Sequence, residues 1–170
     1  MEDHLIRAVH AAFRSDEQAF PALTLRGGAA IDAYADPPAY DPDVDNVTDL
    51  YLKEYAFNAL PYLDPASWRR YLPAMIDYAL RHLGHSQAMV LDGLLCSLRP
   101  PDRVPPRLTA LTQEQESVIV AFLERIGLGA SYRPDVGCPE SREPFGIPLF
   151  VRTRVVHPPS QGDSNVQLGR

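Results

Sequence analysis

The chain has 170 residues, near the size of a single domain. Its 45% hydrophobic and 22% charged residues place it with globular rather than disordered chains. A net charge of −6 disfavours a nucleic-acid-binding surface, no apolar run approaches the ~20 residues of a membrane span, and the acidic start Met1-Glu2-Asp3 lacks the basic region of a signal peptide.

Taken in chain order, Leu5, Ile6, Val9 and Phe13 recur at helical spacing and predict an amphipathic helix over residues 3–14. From Ser15 to Asn46 no period is sustained. The segment is rich in Asp, Pro, Gly and Ala and reads as a long acidic loop, with room for a short helix over Ala29–Ala35 that Asp36-Pro37-Pro38 ends. Loops of this length inside a compact domain are commonly functional. Asn46 or Thr48 opens a helix over 49–58, presenting Leu50, Tyr51, Tyr55 and Phe57. Asp64-Pro65 is a strong start signal, a carboxylate at N-cap followed by proline at N1. The helix it opens carries Trp68, Leu72, Met75, Ile76, Ala79, Leu80 and Leu83 on one stripe and ends at Gly84. Pro73 lies inside it and predicts a kink or break near Arg69–Arg70, one of these arginines bonding the freed carbonyl.

Ser86 opens a fourth, strongly apolar helix through Leu98, predicted to be central, which Pro100-Pro101 stops. Thr112-Gln113-Glu114-Gln115 matches a capping box for a helix over 113–126, with Gly127 at its end. Pro148–Val156 alternates as a strand does, with Ala22–Leu25 as its expected partner, and 158–170 reads as a flexible tail. The fold expected is mostly α: one compact domain over 1–157, of about five helices, with a long acidic N-terminal loop and a short C-terminal strand. Its core is built around Trp68, Leu72, Met75, Leu91, Leu94, Phe122 and Ile126.

Charge is unevenly distributed. Residues 1–49 hold ten acids against Arg7, Arg14 and Arg26, a net of −7, whereas 50–127 balance and 128–170 carry a net of +1. The whole negative charge therefore sits in the first third.

Three blocks carry a likeness. Leu60-Pro61-Tyr62-Leu63-Asp64-Pro65 running on to Tyr71-Leu72-Pro73-Ala74, then Ser97-Leu98-Arg99-Pro100-Pro101, then Leu111-Thr112-Gln113-Glu114-Gln115, occur in order. Over residues 46–127 the chain resembles the centre of an uncharacterised bacterial domain-of-unknown-function family of small acidic helical proteins. The resemblance implies a helical domain and brings no activity, cofactor or catalytic residue. The acidic stretch Asp36–Asp49 and the chain after Gly127 lie largely outside it, which makes them the expected place for a private function.

Motifs with chemistry are few. Asp41, Asp43, Asp45 and Asp49 occupy positions one, three, five and nine of a calcium loop, but Asn46 replaces the turn glycine and Leu52 the closing glutamate. His82 and His85 have i, i+3 spacing, with Gly84 at the helix end between them, where histidines serve the helix dipole. Cys96 on an apolar helix reads as a small buried hydrophobe, and Cys138 in a Gly-Cys-Pro loop as exposed; two cysteines make no disulfide framework and fit a reducing cytoplasm. No nucleophile elbow, phosphate loop, dinucleotide fingerprint or Cys-x-x-Cys is present. Tyr51, Tyr55, Tyr71, Tyr78, Arg69, Arg70 and Asp77 are available for catalysis, but no motif groups them.

The expectation is a non-enzymatic, cytoplasmic, acidic domain that binds a basic partner protein, as an immunity protein or antitoxin binds its toxin. Asp36, Asp41, Asp43, Asp45 and Asp49 would steer the encounter, and Tyr34 and Tyr40 would anchor it. The rival readings are a metal-dependent hydrolase using segment 36–49 and an accessory or regulatory subunit. No cofactor, metal, nucleic acid or membrane is expected to take part.

Overall fold

The computed structural model describes residues 2–84 and 89–128. They form seven helices: α1 (Glu2–Ala12), α2 (Arg14–Gln18), α3 (Leu25–Asp32), α4 (Asp49–Ala59), α5 (Pro65–Arg81), α6 (Met89–Ser97) and α7 (Gln113–Leu128). The mostly helical expectation holds, and among the described residues there is no strand. The proposed strand Pro148–Val156, the tail 158–170, His85 and Cys138 lie outside the described residues.

Side chains that bond the orphan amides of a first turn set most helix starts. Thr24 accepts from Gly27 N, Thr48 from Tyr51 N, and Asp64 from both Ala66 N and Ser67 N, with Pro65 at N1. Of the two caps expected for α4, Thr48 is the one used. At α7 the capping box closes in both directions, Gln115 N to Thr112 Oγ1 at 3.2 Å and Thr112 N to Gln115 Oε1 at 3.1 Å.

Helix α5 is the axis of the fold. Ten of its 17 residues are buried, more than one amphipathic stripe supplies, and α1, α2 and α6 all pack on it. Helix α6 buries six of its nine residues against α4 and α5. The seven core residues expected from the sequence are all buried, with Trp68 at 0% exposure and its indole N–H donating to Ser97 Oγ at 3.1 Å.

Several expectations need correction. The first helix ends at Ala12, and a separate short α2 follows Phe13, whose ring is fully buried at the junction. Residues Ala22–Leu25 are not a strand: Thr24 caps α3 and Leu25 begins it, so the short helix expected at 29–35 lies at Leu25–Asp32 instead. Helix α5 runs unbroken through buried Pro73. The arginines expected to bond its freed carbonyl reach outward: Arg69 Nε donates to Asp16 Oδ1 at 2.9 Å and Arg70 Nη1 to the Glu17 and Ala19 carbonyls. Both fasten α2 to α5. Finally, α7 continues past Gly127 to Leu128.

Helices α3 and α4 approach closely because glycine stands at the contact. A Cβ on Gly28 would lie 2.9 Å from both the Cβ and the carbonyl oxygen of Ala59. This contact sets the platform from which the acidic loop 33–48 leaves and to which it returns.

Candidate functional site

The acidic loop is tied to that platform by one buried carboxylate. Asp45, 2% exposed, receives a two-pronged contact from Arg26: Nε to Oδ1 at 3.0 Å and Nη2 to Oδ2 at 2.8 Å. Tyr51 on α4 donates its hydroxyl to Asp45 Oδ1 at 2.9 Å, and the Asp41 amide donates to Oδ2 at 2.9 Å. The Arg26 amide donates back to the Tyr51 hydroxyl at 3.2 Å, and Arg26 Nη2 also donates to the Ala39 carbonyl at 3.0 Å. One arginine on α3 thereby fixes the loop at two points, 39 and 45. Burial alone would raise the carboxyl of Asp45, but the bonds from Arg26, the Asp41 amide and Tyr51 outweigh it and hold the group below the usual carboxylate range. Burial pushes the Tyr51 phenol far up, so it stays a hydrogen-bond donor at any physiological pH.

This places the sequence-derived site residues in two groups. Asp45 is removed from the surface set: it is a buried, ion-paired member of the scaffold, not an exposed steering charge. Asp49 is half-exposed and held by Arg81, Nη2 to Oδ1 at 2.7 Å and Nη1 to Oδ2 at 2.9 Å, with Asp77 on the same guanidinium at 3.1 Å. The Arg81 bonds hold the Asp49 carboxyl below its ordinary value. Asp36, Asp41 and Asp43 remain exposed, and none of them is in an ion pair among the described residues.

The aromatic residues stand beside those acids. Tyr34 is 101% exposed and holds a left-handed backbone at φ 58°, uncommon for a residue with a side chain. Tyr40 is 37% exposed, and its ring meets that of Phe20 edge-on, centroids 5.4 Å apart, Phe20 itself being 82% exposed. The loop, tied at 39 and 45, thus presents carboxylates outside any ion pair among the described residues, with Asp41 Oδ1 accepting from the Asp43 amide at 3.0 Å, and exposed aromatic rings.

The same geometry bears on metal and catalysis. Asp45 turns inward to Arg26 and Asp49 is held by Arg81, so the carboxylates of the calcium-like spacing do not converge. Among the described residues no three of His, Cys, Asp and Glu are grouped to hold a metal. The ring of His82 stacks on Tyr78 at 4.2 Å, and its Nδ1 lies 2.8 Å from the Tyr78 carbonyl oxygen. Tyr51, Tyr71 and Tyr78 are buried, Arg69 is engaged with Asp16 and Asp77 with Arg81. Cys96 is half-buried rather than enclosed. Among the described residues no helix is long and apolar enough to cross a membrane.

Sequence reasoning missed Arg26 and the Tyr51 hydroxyl. A signal existed: Arg26 is the sole basic residue between Arg14 and Lys53, and five aspartates, from Asp32 to Asp45, follow it.

Comparison with curated proteins and with solved structures returned no match. A family profile does match, over residues 1–132. The match takes in the acidic segment that the resemblance over 46–127 leaves out, so that segment lies inside the family's span rather than outside it. The chain belongs to the family of unknown function DUF6714.

Proposed function

We propose that this protein is a non-enzymatic, acidic binding domain that docks a basic partner protein on the loop 33–48. Within that class, an immunity protein or antitoxin acting in a bacterial cytoplasm against a basic toxin is the reading we favour. One observation carries the proposal: the Arg26–Asp45–Tyr51 clamp fixes the loop while Asp36, Asp41 and Asp43 stay exposed beside Tyr34, Tyr40 and Phe20. A preorganised loop loses little entropy on binding, exposed like charges speed encounter with an opposite surface, and open aromatic rings supply contact area.

The test is capture of partners from the source cells, followed by association kinetics on the partner recovered. Charge steering is screened over ~8 Å at physiological ionic strength, so the on-rate should fall as salt rises. Changing Asp36, Asp41 and Asp43 together to Asn should slow association, and Tyr34→Ala should speed dissociation. A partner whose binding ignores salt and these residues refutes the proposal, as does turnover of a substrate by the purified protein alone.

A further inference from the structure

On a different part of the molecule, the loop after α4 and the loop between α6 and α7 border a shallow, open cleft of about 540 Å³. Pro61, Leu63, Val104 and Pro105 give it apolar walls, and Arg103 and Arg107 line it together.

Arg107 is unusual. It is 3% exposed, and a buried arginine is normally matched by a carboxylate. Here its acceptors are backbone carbonyls: Leu60 O at 3.0 Å from Nη1, with Leu63 O and, at 3.5 Å, Pro61 O from Nη2. Those carbonyls follow the C-terminus of α4, so the guanidinium caps that helix. Its Cζ also lies 5.9 Å from the Trp68 ring.

The two nearby carboxylates act on Arg107 through their charge but direct their hydrogen bonds elsewhere. Asp64, which also lines the cleft, accepts from the Ala66 and Ser67 amides and the Ser67 hydroxyl. Asp102 accepts from the Arg103, Arg107, Leu108 and Thr109 amides and from the Thr109 hydroxyl. Neither forms an ion pair with Arg103 or Arg107. Arg103, exposed at the rim, donates from Nη1 to the Pro61 carbonyl at 3.2 Å and from its amide to Asp102 Oδ1 at 2.8 Å. Arg103 and Arg107 therefore share the cleft with the one carboxylate of Asp64; burial first, then the Arg103 charge, brings the Arg107 guanidinium down to about 10 against the opposing pull of Asp64 and Asp102.

We infer that this cleft binds a small organic anion, a carboxylate on an apolar body, with Arg103 as the accessible anion contact, Arg107 as the buried positive charge behind it, and the proline, leucine and valine side chains around the hydrocarbon. A planar guanidinium fork matches a carboxylate, and an apolar wall beside it favours a ligand with hydrocarbon attached over a bare ion. The site is independent of the acidic loop and stands or falls without the docking proposal.

The chain's single tryptophan, Trp68, reports on it. The full chain is titrated with hexanoate, and separately with inorganic phosphate, at constant ionic strength. Trp68 fluorescence and the amide shifts of 61–64 and 103–107 in heteronuclear NMR are followed together. The expected result is a saturable response to hexanoate in both readouts, weakened about tenfold or more in Arg103→Glu, whose circular dichroism matches the wild type. Arg103→Lys, which keeps charge and loses the fork, should fall between. No saturation in either readout, equal affinity for phosphate, or binding unchanged in Arg103→Glu overturns the inference.

Discussion

Replacing Asp45 by alanine removes one carboxylate and leaves three donors behind: the Arg26 guanidinium, the Tyr51 hydroxyl and the Asp41 amide. Breaking a fully buried ion pair from one side costs about 3–5 kcal/mol, and breaking an exposed one under about 1. The Asp45 side chain is 0% exposed and that of Arg26 20%, so the pair sits near the buried end of that range. The expected loss is ~3 kcal/mol, a drop of roughly 6–12 °C in Tm for a chain of this size. Urea unfolding followed by circular dichroism reads it, with the m-value unchanged. Arg26→Ala in the Asp45→Ala background should add much less than it costs alone, because the pair is already broken. The acid limb should change too. Asp45's folded carboxyl titrates below its unfolded value of 3.8, so its contribution is complete above about pH 5 and is lost as pH falls through the lower, folded pKa. Asp45→Ala should therefore flatten the stability–pH curve below pH ~4, leaving the slope contributed by Asp49, Asp64 and Asp102, which are also held low by their hydrogen bonds. A cost under about 1 kcal/mol, or an unaltered acid limb, would refute the clamp.

Four further outcomes are expected. Trp68→Ala should cost ~3–5 kcal/mol in the same urea assay, since the indole is fully buried and bonded to Ser97. Gly28→Ala should cost about 1–3 kcal/mol, because its Cβ would meet the Ala59 backbone, which has no flexible end to move aside. Tyr34→Gly should leave Tm within a few degrees of the wild type, as a fully exposed ring is lost and a left-handed backbone is relaxed. Calorimetric titration with Ca²⁺ should give no stoichiometric isotherm, because Asp45 is already neutralised by Arg26 and Asp49 by Arg81.

The parts of the fold legible in the sequence are those decided within four residues. Thr48, Asp64-Pro65 and the Thr112–Gln115 box each announce a helix because the cap is a bond from a side chain to its own first turn. The core stripe of α5 is legible for the same local reason, periodicity. What failed depends on distant partners. Residues Arg14–Gln18 are polar and show no apolar period, yet Arg69, Arg70 and Gln115 reach this segment across 50 to 100 positions to hold Asp16, Glu17 and Ala19. The short helix expected over 29–35 starts earlier, at Leu25, and its Gly28 is demanded by a distant partner, because Ala59 leaves no room for a Cβ. Among the acids of segment 36–49, spacing alone cannot say which one turns inward; its partner Arg26 stands 19 residues away from Asp45.

The division of labour between Asp45 and its neighbours gives the loop its meaning. A 16-residue acidic segment with no anchor would spread its like charges apart and lose considerable conformational entropy on docking. Burying one of those charges against Arg26 and Tyr51 spends a carboxylate on rigidity and keeps Asp36, Asp41 and Asp43 on a backbone that is already fixed. Stability and binding then separate by residue. Asp45→Ala should lower Tm and weaken any partner through the loop's loss of order, whereas Asp41→Asn and Asp43→Asn should leave Tm within a few degrees while slowing association. Equal effects of all three substitutions on stability would mean that the loop's acids act as one structural network, and the docking role would lose its physical basis.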